Sequence, residues 1–222
     1  MTTLEGSVVL VLGATGGLGS RIAARLEDGG VTVVRSSRTG GQDLRAPAAV
    51  TEVLESVMAQ HGRLDGVVAA SGVVAFGAAA DLDPATVDEL FAVNTTSVME
   101  LIARAQPHLA ESARAGREPF VVTLSGVVAE APVAGLAAYS ASKAALAAFA
   151  VAAGREFRRA GIRILDARPG HTGTALSEHP IAGQAPNFGA ALDPDAVAAR
   201  IATAIIDGEK DLPSTAFAGG GS

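Results

Sequence analysis

Apolar residues fall along this chain in two alternating patterns. Short β-branched runs recur at Ser7–Leu12, Val31–Arg38, Leu64–Ala70, Phe120–Ser125 and Ile162–Ala167, and read as strands buried on both faces. Between them lie stretches with apolar positions at helical spacing: 20–27, 47–61, 83 to about Gln106, and 136 to about Ala160. Pro47 falls in a first helical turn, Gly62 and Gly161 act as stops, and Asp83-Pro84 and Asp193-Pro194 open helices, the latter running to Asp207. Asp43-Leu44 is expected to end a further short strand, and 211–217 an edge strand. The alternation predicts a single doubly wound α/β domain over 1–222, with a mostly parallel sheet and helices on both faces. The tail 218–222 reads as flexible, and the long irregular stretch 171–192 reads as a binding loop.

Composition narrows the function. The chain has 222 residues, a formal net charge of −6 and no basic run, which argues against nucleic acid as a partner. It has no cysteine, which excludes thiolate chemistry, and its four histidines show no ligand spacing. No signal core and no uninterrupted apolar run of membrane-spanning length stands out, so no membrane partner and a cytoplasmic location are expected.

In sheets of this kind ligands sit outside the carboxyl ends of the strands. Five chemically suggestive stretches follow strand ends here. The first is the turn Gly13, Ala14, Thr15, Gly16, Gly17, Leu18, Gly19, between a strand and a helix; its backbone N–H groups can receive a pyrophosphate. The second strand ends in Ser37 and Arg38 with Arg35 nearby and no acid. That favours a ribose 2′-phosphate, hence NADP(H), with NAD(H) the alternative. Asp43 and Leu44 would border the adenine, and Ser71-Gly72, Ser125 and Pro169-Gly170 close the same crevice. Asn94, in an apolar helix, is unfavourable enough to invite a function. Tyr139, the only tyrosine, stands four residues before Lys143, in a chain where 15 of 17 basic residues are arginine. At i, i+4 the two share one helix face, and an adjacent ammonium is expected to lower the phenol's pKa.

With these residues in order, the chain resembles the short-chain dehydrogenase/reductase family along nearly its whole length. The match rests on Gly13-x-x-x-Gly17-x-Gly19, Asn94, Tyr139-x-x-x-Lys143 and Pro169-Gly170-x-x-x-Thr174. The resemblance implies a Rossmann-type domain and an NAD(P)-dependent oxidoreductase acting on a small carbonyl or alcohol, similar to 3-oxoacyl-carrier-protein reductases. It implies Tyr139 as general acid/base, Lys143 on the nicotinamide ribose, Asn94 behind the lysine, Thr172 and Thr174 near the carboxamide, and a homodimer or homotetramer. Three positions depart from the family. Leu12 replaces a threonine, Ala69-Ala70-Ser71-Gly72 replaces an Asn-Asn-Ala-Gly motif, and Gly126 stands where the catalytic serine is usual. Ser125, one residue earlier, is the favoured substitute, with His171, Ser71 or a backbone N–H as the others. The same departures leave a second reading open: a dinucleotide-binding sensor or scaffold without turnover.

Overall fold

Val8–Leu12 (β1) buries all five side chains and anchors a six-stranded, wholly parallel sheet. The computed structural model describes residues 4–46 and 48–217, so Pro47 and the 218–222 tail lie outside the described residues. The other strands are Thr32–Ser36 (β2), Gly66–Ala69 (β3), Phe120–Leu124 (β4), Arg163–Ala167 (β5) and Asp211–Leu212 (β6), in the order β2-β1-β3-β4-β5-β6. The chain leaves β1 toward β2 on one side and returns to β3 on the other. The carboxyl ends of β1 and β3 therefore flank a crevice.

Successive strand residues face opposite sides, so each strand feeds two cores. Leu10, Val67, Val121 and Ile164 face Ala49–His61 (α2), Ser97–Arg114 (α4) and Ala137–Phe157 (α5). Val9, Val11, Val68, Val122 and Leu165 face Gly17–Asp28 (α1) and Pro194–Ile206 (α6). The terminators act as their chemistry dictates: Gly62 and Gly161 adopt left-handed backbone after their helices, and the Asp83 and Asp193 carboxylates accept first-turn N–H groups.

Four expectations need correction. Asp43-Leu44 forms no strand. Residues 37–46 instead close on themselves, with Gly40 N–H donating to Ser37 Oγ and Arg45 N–H to Asp43 Oδ1, which leaves β2 as the sheet edge. The last strand is two residues long and gives way to a helical turn at Ser214–Phe217. The helix expected to end near Gln106 runs through Pro107 to Arg114. Burial of Leu109 and Ala110 offsets the missing proline N–H, since a buried leucine contributes about 1.5–3 kcal/mol and an internal proline costs about 3. Finally, Ala137–Ala160 is long and apolar enough, by length and composition alone, to pass for a membrane span. Its alanines hide this from a reading that looks for bulky residues, and its inner face packs on β5.

Before α4, helix Pro84–Phe91 (α3) widens into one π-helical turn, Ala92–Thr96. Thr95 Oγ1 donates to the Ser142 carbonyl (2.8 Å) from this turn, locking it against α5. Such turns recur at functional sites because they push one side chain out of helical register.

Candidate active site

Of the residues expected at the site, all but Gly19 and Asn94 line one cavity of about 670 Å³ at the strand ends. Gly13, Thr15, Gly16, Gly17 and Leu18 lie at one end of the strand array, with Ser37, Arg38, Asp43 and Leu44 beside them. Ser71, Gly72, Ser125, Tyr139, Lys143, Pro169, Gly170, Thr172 and Thr174 complete the wall. Gly19 serves packing instead: a Cβ there would stand 2.2 Å from the Gly13 carbonyl oxygen, so a larger residue would push α1 off the turn.

Asn94 lies just behind this wall, fully buried. Its Oδ1 accepts the Val73 N–H (2.9 Å), while its Nδ2 donates to the Val73 carbonyl (2.9 Å) and to Ser142 Oγ (3.1 Å). Ser142 Oγ in turn donates to the Tyr139 carbonyl (2.8 Å). One side chain thus ties the loop after β3 to the helix turn that carries Tyr139. Ser142, three residues beyond Tyr139, was not singled out from sequence, although it sits inside the Tyr-to-Lys stretch.

Lys143 is buried, and its Nζ donates to the Leu124 carbonyl at the end of β4 (2.8 Å). The ammonium lies 5.9 Å from the centre of the Tyr139 ring. Burial pushes the lysine down to about 8, with the Asp166 carboxylate pulling the other way. Burial also pushes the Tyr139 phenol up to about 12, contrary to the downward shift expected from the nearby lysine. At this separation, with the ammonium bonded to a carbonyl, loss of water around the phenol outweighs the charge. Tyr139 lines the cavity, and among the described residues no hydrogen bond of its phenol hydroxyl occurs.

Ser125 does not offer its hydroxyl to that space. Its Oγ donates to Asp166 Oδ2 (2.6 Å), and Thr123 Oγ1 donates to Oδ1 of the same buried carboxylate (2.6 Å). Arg168 also bonds this carboxylate (3.0 Å), so the serine's one proton is committed to a charged cluster inside the sheet. Asp166 was missed from sequence, although a lone acid in the run Ile164-Leu-Asp-Ala167 was the available signal. At Gly126, φ is +79° and ψ 165°, a backbone state essentially closed to other residues. His171, also on the cavity wall, packs its ring 4.7 Å from that of Phe188.

The wall fits a dinucleotide on three observations. The first turn of α1 has neither a capping side chain nor an acidic residue, which leaves its N–H groups suited to an anion. Ser71 Oγ is buried at the strand ends without a partner. Arg38 lines the cavity, whereas the nearby Arg35 is held by both oxygens of Glu27 (3.0 and 2.8 Å) and does not line it. Asp43 is itself engaged, since the Arg45 N–H and guanidinium hold its carboxyl below the usual range. Among the described residues no cluster of three metal-binding side chains occurs.

Comparison with known proteins agrees with this geometry. The model of the short chain dehydrogenase family matches residues 39–184. The chain is 30% identical over 182 residues to the 2,3-dihydro-2,3-dihydroxybenzoate dehydrogenase of Escherichia coli, covering 78% of this chain and 72% of that protein. It is also 30% identical to the cyclic-di-GMP-binding biofilm dispersal mediator protein of the same species, covering 77% of this chain and 75% of that protein. Among solved structures, 3-ketoacyl-(acyl-carrier-protein) reductase from Brucella melitensis, complexed with NADH, superposes with a TM-score of 0.85 at 24% identity. That match covers 95% of this chain and 96% of that one.

Proposed function

Because the chain belongs to the short-chain dehydrogenase family, we propose that it is an NADP(H)-dependent carbonyl reductase with Tyr139 as its proton donor. The observation that carries this reading is Tyr139 on the wall of the strand-end cavity, its hydroxyl without a partner among the described residues, while Lys143 and Asn94 fix the helix turn that carries it. In the reaction the carbonyl carbon gains a hydride and its oxygen gains the Tyr139 proton, giving the alcohol. A bound nicotinamide supplies that hydride. A phenol that stays protonated up to about 12 holds at neutral pH the proton that the carbonyl oxygen takes up. Lys143, charged below about 8, stabilises the phenolate left after transfer.

In this reading the turn from Gly13 to Leu18 holds the pyrophosphate. Ser37 and Arg38 receive the 2′-phosphate, Asp43 and Leu44 border the adenine, and Ser71 and Gly72 flank the ribose. Pro169, Gly170, Thr172 and Thr174 face the carboxamide. Residues 1–222 act as one domain, working in the cytoplasm as a homodimer or homotetramer. Ser125 is left out of the mechanism, and His171 becomes the side chain best suited to polarise the carbonyl oxygen.

Gly126 and the committed Ser125 hydroxyl favour one rival, a nucleotide-binding protein without turnover. One relative is named for nucleotide binding, the cyclic-di-GMP-binding mediator. An NADPH absorbance assay over aromatic and aliphatic ketones and aldehydes separates the two. Turnover of any of them supports the reductase, while tight NADPH binding with no turnover supports the rival.

A further inference from the structure

Charge is distributed unevenly along the cavity. Arg38, Asp43 and Arg45 line the end next to β2. Beyond Lys143, among the described residues, no Asp, Glu, Lys or Arg side chain lines the wall. Val74, Phe76, Val128 and Leu136 form there an apolar cluster separate from the two sheet-face cores, with Tyr139 and Phe188 packed against it. The Phe188 ring lies 5.9 Å from the Phe76 ring and 4.7 Å from that of His171, tilted 47° and 33°.

This wall is held by backbone. The Phe76 N–H donates to the Ala182 carbonyl (2.9 Å), the Ile181 N–H to the Val74 carbonyl (2.8 Å) and the Gly77 N–H to the Gly135 carbonyl (2.9 Å). The loop that carries Phe188 is thus bonded to the segment that carries Phe76. Nearly all large apolar side chains are buried, yet Val133 and Leu176 remain 49% and 41% exposed, and both line this cavity. An apolar ligand would cover them.

Resting on the carbonyl-reductase reading, we propose that the end of the cavity beyond Tyr139 selects an uncharged, aromatic ketone or aldehyde and rejects its carboxylated or phosphorylated counterparts. Tilted rings at these separations accept a further ring edge-to-face or offset. A carboxylate carried in among Val74, Phe76, Val128, Leu136 and Phe188 would lose its water and, beyond Lys143, meet no Lys or Arg side chain of the described residues to offset that penalty. Tyr139, His171 and His179 are the rings of this cavity that can also donate a hydrogen bond, so a flat ligand with a single carbonyl matches both its surface and its polarity.

The test uses a matched pair, 2-acetylnaphthalene and 6-acetyl-2-naphthoate. Binding is read by saturation-transfer NMR on the full chain, and turnover by NADPH oxidation. The expected result is binding of the neutral ketone, with kcat/KM at least about a hundredfold above that of the carboxylate. Phe188→Arg, which adds a cation able to hydrogen-bond the carboxylate, should narrow that ratio at least about tenfold. Binding of the neutral ketone without turnover would support the selectivity and sink the reductase reading. Equal or better use of the carboxylate would overturn the selectivity and leave the reductase reading standing. So would reduction of a small polar aldehyde such as glyceraldehyde by a protein that binds neither naphthyl probe. No binding and no turnover of any compound would overturn both.

Discussion

Tyr139 and Lys143 were legible in the sequence because residue type and spacing are properties of a short segment. Their titration was not. The upward shift of the phenol comes from strands and loops far away in sequence that remove its water. The bond that engages the Ser125 hydroxyl was illegible for a similar reason, since its partner Asp166 lies 41 residues on, in a neighbouring strand. Two expectations belong at this scale. Carbonyl reduction needs Lys143 charged, and the charged form is lost as pH rises through about 8, so kcat/KM should fall on a limb near that pH. In Lys143→Arg the guanidinium stays charged, and the limb should disappear even if the maximum rate is lower. Restoring the family serine with Gly126→Ser should bring no gain in rate, because a side chain is forced into a glycine-only backbone state. Urea unfolding should report a loss of about 1–3 kcal/mol.

Elements were legible where local chemistry marks their ends. Gly62, Gly161 and Asp193-Pro194 sit at the expected boundaries because a left-handed stop or a side-chain cap needs only neighbouring residues. The helix end expected near Gln106 was misplaced because the burial that carries α4 past Pro107 is tertiary. The π-helical turn that positions Asn94 was invisible for the same reason: its bonds run to Val73 and Ser142 on other elements. The end of β2 carries the prediction at this scale. Arg38 is exposed and lines the cavity, whereas Arg35 is spent on Glu27. Arg38→Asp should therefore weaken NADPH binding at least about tenfold and leave NADH binding equal or better, as read by titration of cofactor fluorescence. An equal loss for both cofactors would remove Arg38 from 2′-phosphate recognition.

For the molecule as a whole, the strand–helix alternation led directly to a parallel sheet with two helical faces, since a parallel crossover needs an intervening helix. Connectivity also placed the cavity, because the crevice forms where the chain switches sides of β1. Association with further copies is the large-scale expectation that sequence and fold leave to experiment. Helix α5 presents Ala141, Ala148, Ala152 and the 51%-exposed Val151 on its outer face, a surface of small side chains suited to close helix contact. Light scattering should give a dimer or tetramer for the wild type and a monomer for Val151→Glu, with cofactor binding unchanged in both. The central claim is that Tyr139 donates the proton at a dinucleotide site, and Tyr139→Phe tests it most directly. Steady-state NADPH oxidation with an aromatic ketone should fall at least about a hundredfold in this variant while its NADPH dissociation constant stays within about twofold of wild type. A variant that turns over as fast as wild type would contradict the account.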